Sequence, residues 1–315
     1  MLPVRDSLIL PETGRPVGTG WLSPVPDRRD RTDQSAHVVA SVRRIGLTAS
    51  PAEMAAALPA KIDLRPWCSE IADQGNLGSC SAHAGVGVVE YLENRAFGVH
   101  LDGSRLFVYK ATRNLLGWRG DTGAWLRNVM GAVVLLGVPP EKFWPYTTNM
   151  EPGPSGTDRT FDDEPSAFVY GVANNFEGTS YFSHDPLGKA LPHDQVLTSV
   201  KTYLAYGVPA MFGFYGFPSF SETNVTGGIP FPGDEEAAAW GHAVDAVGYD
   251  DALQITNTKY NVTTTGALLI RNSWGVSWGQ KGYGYLPYQY VLAGLAMDFW
   301  SLFGMRWADT NNFGL

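Results

Sequence analysis

A cysteine at the start of a helical pattern is the residue best suited to chemistry in this sequence. Cys80 is one of only two cysteines in 315 residues, and it stands in the stretch QGNLGSCSAHAGVGVVEYLENR. The apolar spacing after it (Ala84, Val88, Leu92) predicts a helix from about Cys80 to Arg95. Because free backbone N–H groups and the helix dipole at such a terminus favour a thiolate, Cys80 is a candidate nucleophile.

Two histidines and one asparagine are candidates to assist this thiol. His83 lies on the same predicted helix, and its apolar neighbours favour a buried place in the core or the cleft wall. His242 begins the strand-like run HAVDAVGYDD, and its local pattern leaves a catalytic and a structural role equally open. Asn272 lies in apolar strand text, where a bond to a histidine would satisfy its amide. Trp274 follows two residues later and either covers that bond or packs in the core.

Three segments of the chain together resemble the signature segments of papain-like cysteine peptidases. They are QGNLGSCSAHA, GHAVDAVGYD and RNSWGVSWGQKGYGY, and they occur in the family's chain order. The stretch DTGAWLRNVMGAVVLLGVPPEKFWPYT is similar to a fourth family segment, and the resemblance runs from about Ile62 to Tyr290. It implies an α+β fold with a helical lobe, a β-barrel-like lobe and an active-site cleft between them.

The resemblance implies a role for each residue that matches the family pattern. Cys80 matches the nucleophile, and Gln74 matches the side chain that forms the oxyanion hole together with the Cys80 backbone N–H. His242 matches the general base and acid. Asn272 matches the residue that orients the imidazole, and Trp274 matches the indole that shields their contact.

The resemblance also implies a substrate pocket. Gly123 matches the glycine that pairs with an extended substrate backbone. We expect the substrate to contact a set of small or aromatic residues along the cleft: Gly123, Ala124, Gly213, Ala243 and Trp274. All of them except Trp274 are assigned to the pocket for the second residue upstream of the scissile bond. Acidic residues 234–236, just before His242, either favour basic substrates or form a solvated loop, and the second interpretation is preferred.

Changes in composition along the chain predict a leader followed by a peptidase domain. Residues 1–60 are rich in proline and charge, and they end in a short amphipathic stretch where Ser50 would cap a helix that starts at Pro51. Residues 61–315 form the predicted peptidase domain, with a helical lobe at about 61–195 and a β-rich lobe at about 196–315. Residues 150–195 are predicted to be loops that cross between the lobes, and GYGYLPYQYV is predicted to be a strand.

The leader suggests that the enzyme is latent. In papain-like peptidases an N-terminal propeptide often lies through the cleft in the nonproductive direction and blocks it. The leader segment GWLSPVPDRRD resembles one that bacterial relatives often carry. We therefore hypothesise cleavage between Thr48 and Lys61, and a permanent structural arm is the equally favoured alternative.

Composition and charge argue against several classes of partner. The net charge is −8 and the sequence has no basic cluster, so we expect no nucleic-acid partner. The apolar runs are far shorter than the roughly 20 residues that cross a bilayer, so we expect no membrane partner. The start of the chain lacks the pattern of a secretory signal, so the simplest expectation is a reducing compartment inside the cell.

The two cysteines, Cys68 and Cys80, allow at most one disulfide. Each of them also fits as a small buried side chain.

The predicted function is hydrolysis of peptide bonds by a cysteine endopeptidase. It requires neither a metal nor an organic cofactor, takes a peptide or protein as substrate, and has its own leader as a candidate inhibitor. Two alternatives stay open: a transpeptidase or peptide-processing acyl-transfer enzyme on the same fold, and a non-catalytic papain-like binding protein. The complete set of Cys, His, Asn and Gln argues against the second, because binding alone does not require all four.

Overall fold

The computed structural model describes residues 8–11, 13–44, 58–153, 158–223 and 227–307. The helices in these ranges are α1 (Ala36–Arg44), α2 (Cys80–Phe97), α3 (Arg105–Leu115), α4 (Leu126–Leu136), α5 (Ala167–Ala173), α6 (His193–Ala205) and α7 (Tyr288–Leu292). The strands are β1 (Leu8–Ile9), β2 (Pro16–Val17), β3 (Lys61–Asp63), β4 (Phe176–Ser183), β5 (Ala210–Gly216), β6 (Trp240–Asn257), β7 (Val262–Arg271), β8 (Tyr283–Pro287) and β9 (Ala296–Trp307).

Strands from the second half of the chain dominate one antiparallel sheet. Within the described ranges, seven strands form it in the order β4-β9-β5-β6-β7-β8, with β3 paired to β6. Helix α2 packs against β5, β6 and β9 on one side and against α3 and α4 on the other. The α+β class expected from the sequence is confirmed, and α2 lies at the junction of its helical and β-rich parts.

Helix α2 is the central helix of the molecule. It begins at Cys80 and is capped at its C-terminus by Gly98, whose φ of 68° is the left-handed conformation that glycine adopts at helix ends. Its residues from Cys80 to Tyr91 are all buried, because it is enclosed by helices and sheet. Although α2 is the longest helix described, none of the described helices is long and apolar enough to cross a membrane.

Buried charges connect α2 to the two strands that follow the candidate histidine and precede the candidate asparagine. Arg271 of β7 lies directly opposite Asp245 of β6, and its guanidinium lies 3.7 Å from the Asp245 carboxylate and 3.8 Å from that of Glu90 on α2. Arg105 of α3 completes the cluster with two hydrogen bonds to Glu90. Breaking a buried pair by removing one partner costs about 3–5 kcal/mol, so this cluster holds α2 against β6 and β7.

The described part of the leader is built into the surface of the domain. Leu10 and Val17, on either side of the turn between β1 and β2, are fully buried in the core cluster of the sheet. Val38 of α1 packs with Phe182 of β4 and Phe303 of β9. The leader therefore contacts the domain at both ends of its described length.

Two local predictions were wrong, one strand was missed, and one prediction falls outside the described residues. Residues 150–195 are not only loops, since they contain α5 and β4. The text YQYV forms α7 after Pro287, which has no N–H to continue the strand ladder. Strand β9 was not anticipated. The helix expected from Pro51 lies outside the described residues. The division into a leader and two lobes stays a prediction, and the sheet takes strands from both sides of residue 195.

Candidate active site

The register of two neighbouring strands brings His242 and Asn272 together. Because Asp245 of β6 pairs with Arg271 of β7, His242, three residues before Asp245, lies at the same end of the sheet as Asn272, one residue after Arg271. The imidazole Nε2 lies 2.7 Å from the Asn272 side-chain oxygen. Both side chains are buried, and the bond to His242 satisfies the buried Asn272 amide, as the sequence predicted.

The hydrogen bonds of Asn272 determine which nitrogen of His242 carries a proton. The Asn272 Oδ1 atom also accepts a bond of 2.7 Å from the backbone N–H of Ser273, which identifies this atom as the amide oxygen. Nε2 of His242 must then be the donor, so the neutral ring has its lone pair on Nδ1. Nδ1 is buried and has no partner in the described part of the chain. It is therefore available to accept a proton.

Trp274 covers this pair from one side. Its ring stacks on the His242 ring with the centroids 4.2 Å apart, and the ring planes differ by 21°. Trp240 and Phe220 pack edge-on against Trp274. This aromatic cover excludes water from the imidazole, and the burial lowers the pKa of His242 to about 4, although the bond to Asn272 opposes this shift.

Cys80 lies at the start of α2, beside the residue that follows His242. Backbone groups of Ala243 in β6, Gly20 of the leader and the neighbouring Ser81 act on its sulfur and lower the pKa of the thiol. Burial opposes them and dominates, because the side chain is completely buried, and it raises the pKa of the thiol to about 11. In this leader-bound state, thiol and imidazole are therefore both neutral at pH 7.

This pKa predicts how alkylation of Cys80 depends on pH in the intact chain. With a pKa of about 11, only about one thiol in ten thousand is ionised at pH 7, so labelling that occurs while the leader still covers Cys80 should speed up about tenfold for each pH unit between 7 and 9. The measurement is the rate of iodoacetamide labelling in a Cys68→Ala chain, where Cys80 is the only thiol. Fast labelling that does not change between pH 6 and 8 would contradict the prediction.

Gln74 is held in a fixed orientation by a residue that the sequence analysis missed. The hydroxyl of Ser273 donates to Gln74 Oε1 at 2.6 Å, and the Gln74 backbone N–H donates to the Ser273 carbonyl at 2.9 Å. The Gln74 amide nitrogen is thereby turned towards two backbone carbonyls, those of Gly18 at 3.0 Å and Leu77 at 2.8 Å. Ser273 lies between Asn272 and Trp274 in the sequence motif, and this position could have indicated that it belongs to the site.

The leader passes directly over these groups. The Gly18 carbonyl accepts from Gln74 and, at 3.3 Å, from the indole N–H of Trp274. Two residues later, the Gly20 carbonyl accepts a 3.1 Å bond from the backbone N–H of Ala124. A Cβ atom on Gly123 would lie 2.2 Å from that same carbonyl, so only glycine allows this approach.

The side chain of Trp21 fills the expected substrate pocket. Gly213 and Ala243 face each other across β5 and β6, and a Cβ atom on Gly213 would lie 1.9 Å from the Trp21 ring. Trp21 also forms a parallel bridge with Ala124. Its indole N–H donates to Asp298 of β9 at 3.1 Å. Asp298 is a pocket residue that the sequence analysis did not identify.

The structure brings together all nine residues that the sequence analysis assigned to the site, whereas the other candidates lie elsewhere. His83 is buried, with Nδ1 3.0 Å from the Ser79 carbonyl, in keeping with a structural histidine. Cys68 and Cys80 are both free thiols, so the one disulfide that the sequence allows is not formed. In the acidic loop, Asp234 and Glu235 are exposed, and the Glu236 carboxylate accepts bonds from Ser219 and a backbone N–H of its own loop.

One cleft holds a thiol at a helix N-terminus, an imidazole oriented by an amide, and a side-chain amide donor. These are the parts of a cysteine peptidase site. The chain belongs to the papain family of cysteine proteases, because the family model described as papain family cysteine protease matches residues 58–298. The protein is therefore a cysteine endopeptidase, which hydrolyses peptide bonds.

Relatives with known names agree with this assignment. The chain is 30% identical to xylellain, a cysteine protease from Xylella fastidiosa, with a TM-score of 0.71 over 91% of this chain and 96% of that one. It is 31% identical to an uncharacterized peptidase C1-like protein of Acanthamoeba polyphaga mimivirus, over 80% of this chain and 76% of the relative. A cathepsin L-like proteinase of Fasciola hepatica is 26% identical, and the match spans 72% of this chain and 60% of that protein.

Proposed function

We propose that this chain is a latent cysteine endopeptidase in which Cys80 is the nucleophile and His242 the general base and acid. The observation that carries the proposal is the bond from His242 Nε2 to Asn272, which leaves the buried Nδ1 free to accept a proton. The backbone of Ala243, the next residue of the strand, acts on the Cys80 sulfur. Gln74 and the Cys80 backbone N–H are the proposed oxyanion donors.

The proposed reaction passes through an acyl-enzyme. The Cys80 thiol gives its proton to His242 Nδ1, and the sulfur bonds to the substrate carbonyl carbon. As the C–N bond breaks, His242 returns the proton to the leaving amine. Water then attacks the thioester, His242 takes one proton from it, and the C–S bond breaks to release the acid and regenerate the thiol. Asn272 stabilises the imidazolium and keeps its angle, as an aspartate does in serine triads.

The oxyanion role of Gln74 is supported by its fixed orientation. Since Ser273 holds Oε1, the N–H group of the amide can only point to the side where the leader carbonyl of Gly18 now lies. A preorganised donor of this kind contributes about 2.7–4 kcal/mol to transition-state stabilisation. In the latent state the Gly18 carbonyl occupies the donor that a substrate oxyanion would need.

Asn272→Ala should weaken hydrolysis without abolishing it, because Asn272 orients the base but does not react. Loss of a buried hydrogen bond costs about 1–3 kcal/mol, so we expect kcat/KM to fall roughly ten- to a hundredfold. The pKa of His242 should also fall, since the bond to Asn272 raises it, and the acidic limb of the pH–rate profile should move to lower pH. The matched control is Asn257→Ala, a buried asparagine bonded to Ser219 and Phe231. An unchanged profile in Asn272→Ala would contradict the role.

The latency of the enzyme is supported by how completely the leader fills the cleft. Its backbone at Gly20 lowers the pKa of the Cys80 thiol, its Gly18 carbonyl takes the Gln74 donor, and its Trp21 ring fills the pocket. Ion pairs anchor both sides of this segment, from Arg15 to Asp73 and from Asp30 to Arg127, the latter at 2.5 Å. We propose that a substrate enters only when the leader has left.

Proteolytic removal of the leader is the proposed route of activation. Strand β3 pairs with β6 from Lys61 onwards, so a cut before Lys61 leaves the sheet intact. On incubation of the purified chain, we expect hydrolysis to rise together with a new N-terminus between Thr48 and Lys61, followed by N-terminal sequencing and intact mass. Cys80→Ala is the control for self-cleavage. An uncut chain that is fully active from the start would show that the leader is not inhibitory.

A further inference from the structure

We propose that a cavity beside the segment that precedes Gln74 binds a small aliphatic diamine or polyamine, at a site separate from the substrate cleft. The cavity has a volume of about 590 Å³, which lies within the range of small-molecule sites. Its lining comes from residues 68–73 and 100–102, from helices α2 and α3, and from Glu141 and Tyr146. In the described part of the chain, none of the nine residues assigned to the substrate site lines it.

The buried end of the cavity holds a hydrogen-bond acceptor without a partner. His83 of α2 lines the cavity and is 2% exposed. Its Nδ1 lies 3.0 Å from the Ser79 carbonyl, so Nδ1 carries the ring proton and Nε2 the lone pair. Burial lowers the pKa of His83 to about 3, so the ring stays neutral. Nε2, at the far end of the ring from that bond, has no partner among the described residues and can accept from a ligand.

Glu141 contributes a carboxylate to the same cavity. Its Oε1 accepts from the backbone N–H of Tyr146, whereas its Oε2 is buried with no partner in the described ranges. Burial raises the pKa of Glu141 to about 7, although Arg105 opposes this shift. An ammonium group carries a positive charge and three N–H donors, so it matches two acceptors of this kind, His83 Nε2 and Glu141 Oε2.

The charges around the cavity favour a cation over an anion. Arg105 of α3 donates two hydrogen bonds to Glu90 and one of 2.5 Å to Asp102, so two carboxylates already neutralise its guanidinium. The exposed residues of the lining include the acids Glu70 and Asp102, together with His100. A carboxylate or phosphate ligand would meet this acidic surface without a free arginine to bind it, whereas a cationic ligand is attracted to it.

The apolar part of the lining favours a diamine or a polyamine over a single ammonium ion. Ile71 and Leu101 are half-buried and add apolar surface to the buried acceptors and the exposed acids. A short methylene chain would pack against these two side chains. One ammonium group would then bind at His83 and Glu141, and the other would lie at the exposed acids.

A ligand in this cavity would contact the residues that support the oxyanion donor, without contacting the substrate. Tyr146 lines the cavity, and its hydroxyl donates to the Gln74 carbonyl at 3.0 Å. The same hydroxyl lies 2.6 Å from the Ser79 side-chain oxygen, directly before Cys80. Because a ligand that binds only the folded chain stabilises it, an amine here stabilises the segment that positions Gln74.

The test measures binding by calorimetry to the full-length Cys80→Ala chain, in which the leader stays over the cleft and cleavage through Cys80 is excluded. The probe is diaminobutane. The matched control ligand is butanediol, which has the same chain length and no charge. We expect one equivalent of diaminobutane to bind, and butanediol to bind roughly tenfold or more weakly, because it forms no charge-assisted bonds.

Two variants of this chain locate the site. Glu141→Gln keeps an oxygen for the Tyr146 N–H but removes the charge, so the affinity for diaminobutane should fall roughly ten- to a hundredfold. Glu151→Gln removes an exposed charge that does not line the cavity, and it should leave the affinity unchanged.

Cys68 gives a second readout that needs no change in the cavity. It lines the cavity and is the only thiol of the Cys80→Ala chain. Burial raises its pKa to about 11, so its labelling by iodoacetamide is followed at about pH 9, where more thiolate is present than at neutral pH. Diaminobutane at ten times its Kd should slow this labelling about tenfold. No saturable binding, or binding that Glu141→Gln does not weaken and that does not protect Cys68, would overturn the inference. The proposed peptidase function stands in either case.

Discussion

Cys80→Ala abolishes peptide-bond hydrolysis and labelling by a thiol-directed epoxide in the activated enzyme: this is the largest effect that we expect. Without the sulfur no acyl-enzyme forms, and loss of a nucleophile that acts together with its base lowers kcat by about 10⁴–10⁶. The measurement is kcat for a peptide substrate, with epoxide incorporation followed by mass.

The chain offers a matched control for this substitution. Cys68 is the other free cysteine, and its thiol contacts the Leu64 carbonyl at 3.6 Å, outside the leader-filled cleft. Cys68→Ala should retain both hydrolysis and labelling. Turnover that persists in Cys80→Ala would show that Cys80 is not the nucleophile. Loss of turnover in a folded Cys68→Ala chain would show that the effect is not specific to Cys80.

Gly20→Ala should release the latent enzyme without cleavage, the second largest effect. A Cβ atom on Gly20 would lie 2.0 Å from the Gly78 carbonyl oxygen, which belongs to the rigid backbone before α2. The leader segment must therefore move away, and overpacking of this kind costs about 1–3 kcal/mol or more. We expect the full-length variant to label at Cys80 and hydrolyse peptides roughly ten- to a hundredfold faster than the unmodified chain before any incubation.

A second glycine separates the steric effect from a general effect of alanine. A Cβ atom on Gly171 of α5 would have no neighbouring atom within 4 Å in the described part of the chain, so Gly171→Ala should leave latency unchanged. Intact mass must show that the Gly20→Ala chain is uncut when its activity is measured. An uncut Gly20→Ala chain as inactive as the unmodified one would show that the leader contact at Gly20 does not control access.

The reactive groups could be predicted from sequence because each lies in a short local motif. Cys80 opens a helix with clear periodicity, and Asn272 and Trp274 share one segment. The sequence between Cys80 and His242 does not show that their side chains meet in the fold. That expectation came from the resemblance to the family. In the structure, the pairing of β6 with β7 brings His242 and Asn272 within hydrogen-bond distance.

The residues that were missed act through contacts between distant parts of the chain. Asp298 reaches the pocket only because β9 pairs with β5, and nothing in the text AMDFWSLF indicates that pairing. Trp21 was noticed only within a proline-rich leader segment, and its place in the pocket depends on the path of the whole leader. Strand β4 was taken for loop since its register is set by its partner β9, not by a strong pattern of its own.

Trapping the acyl-enzyme tests the central claim most directly. Activated protein is mixed with a slowly hydrolysed ester substrate, quenched in acid during turnover and digested, and the mass of each peptide is compared with that of the unreacted protein. The proposed mechanism predicts that one acyl group is added, at Cys80, and that it disappears as substrate is exhausted. Steady hydrolysis with no acyl group on Cys80, or with the group on another residue, would contradict it.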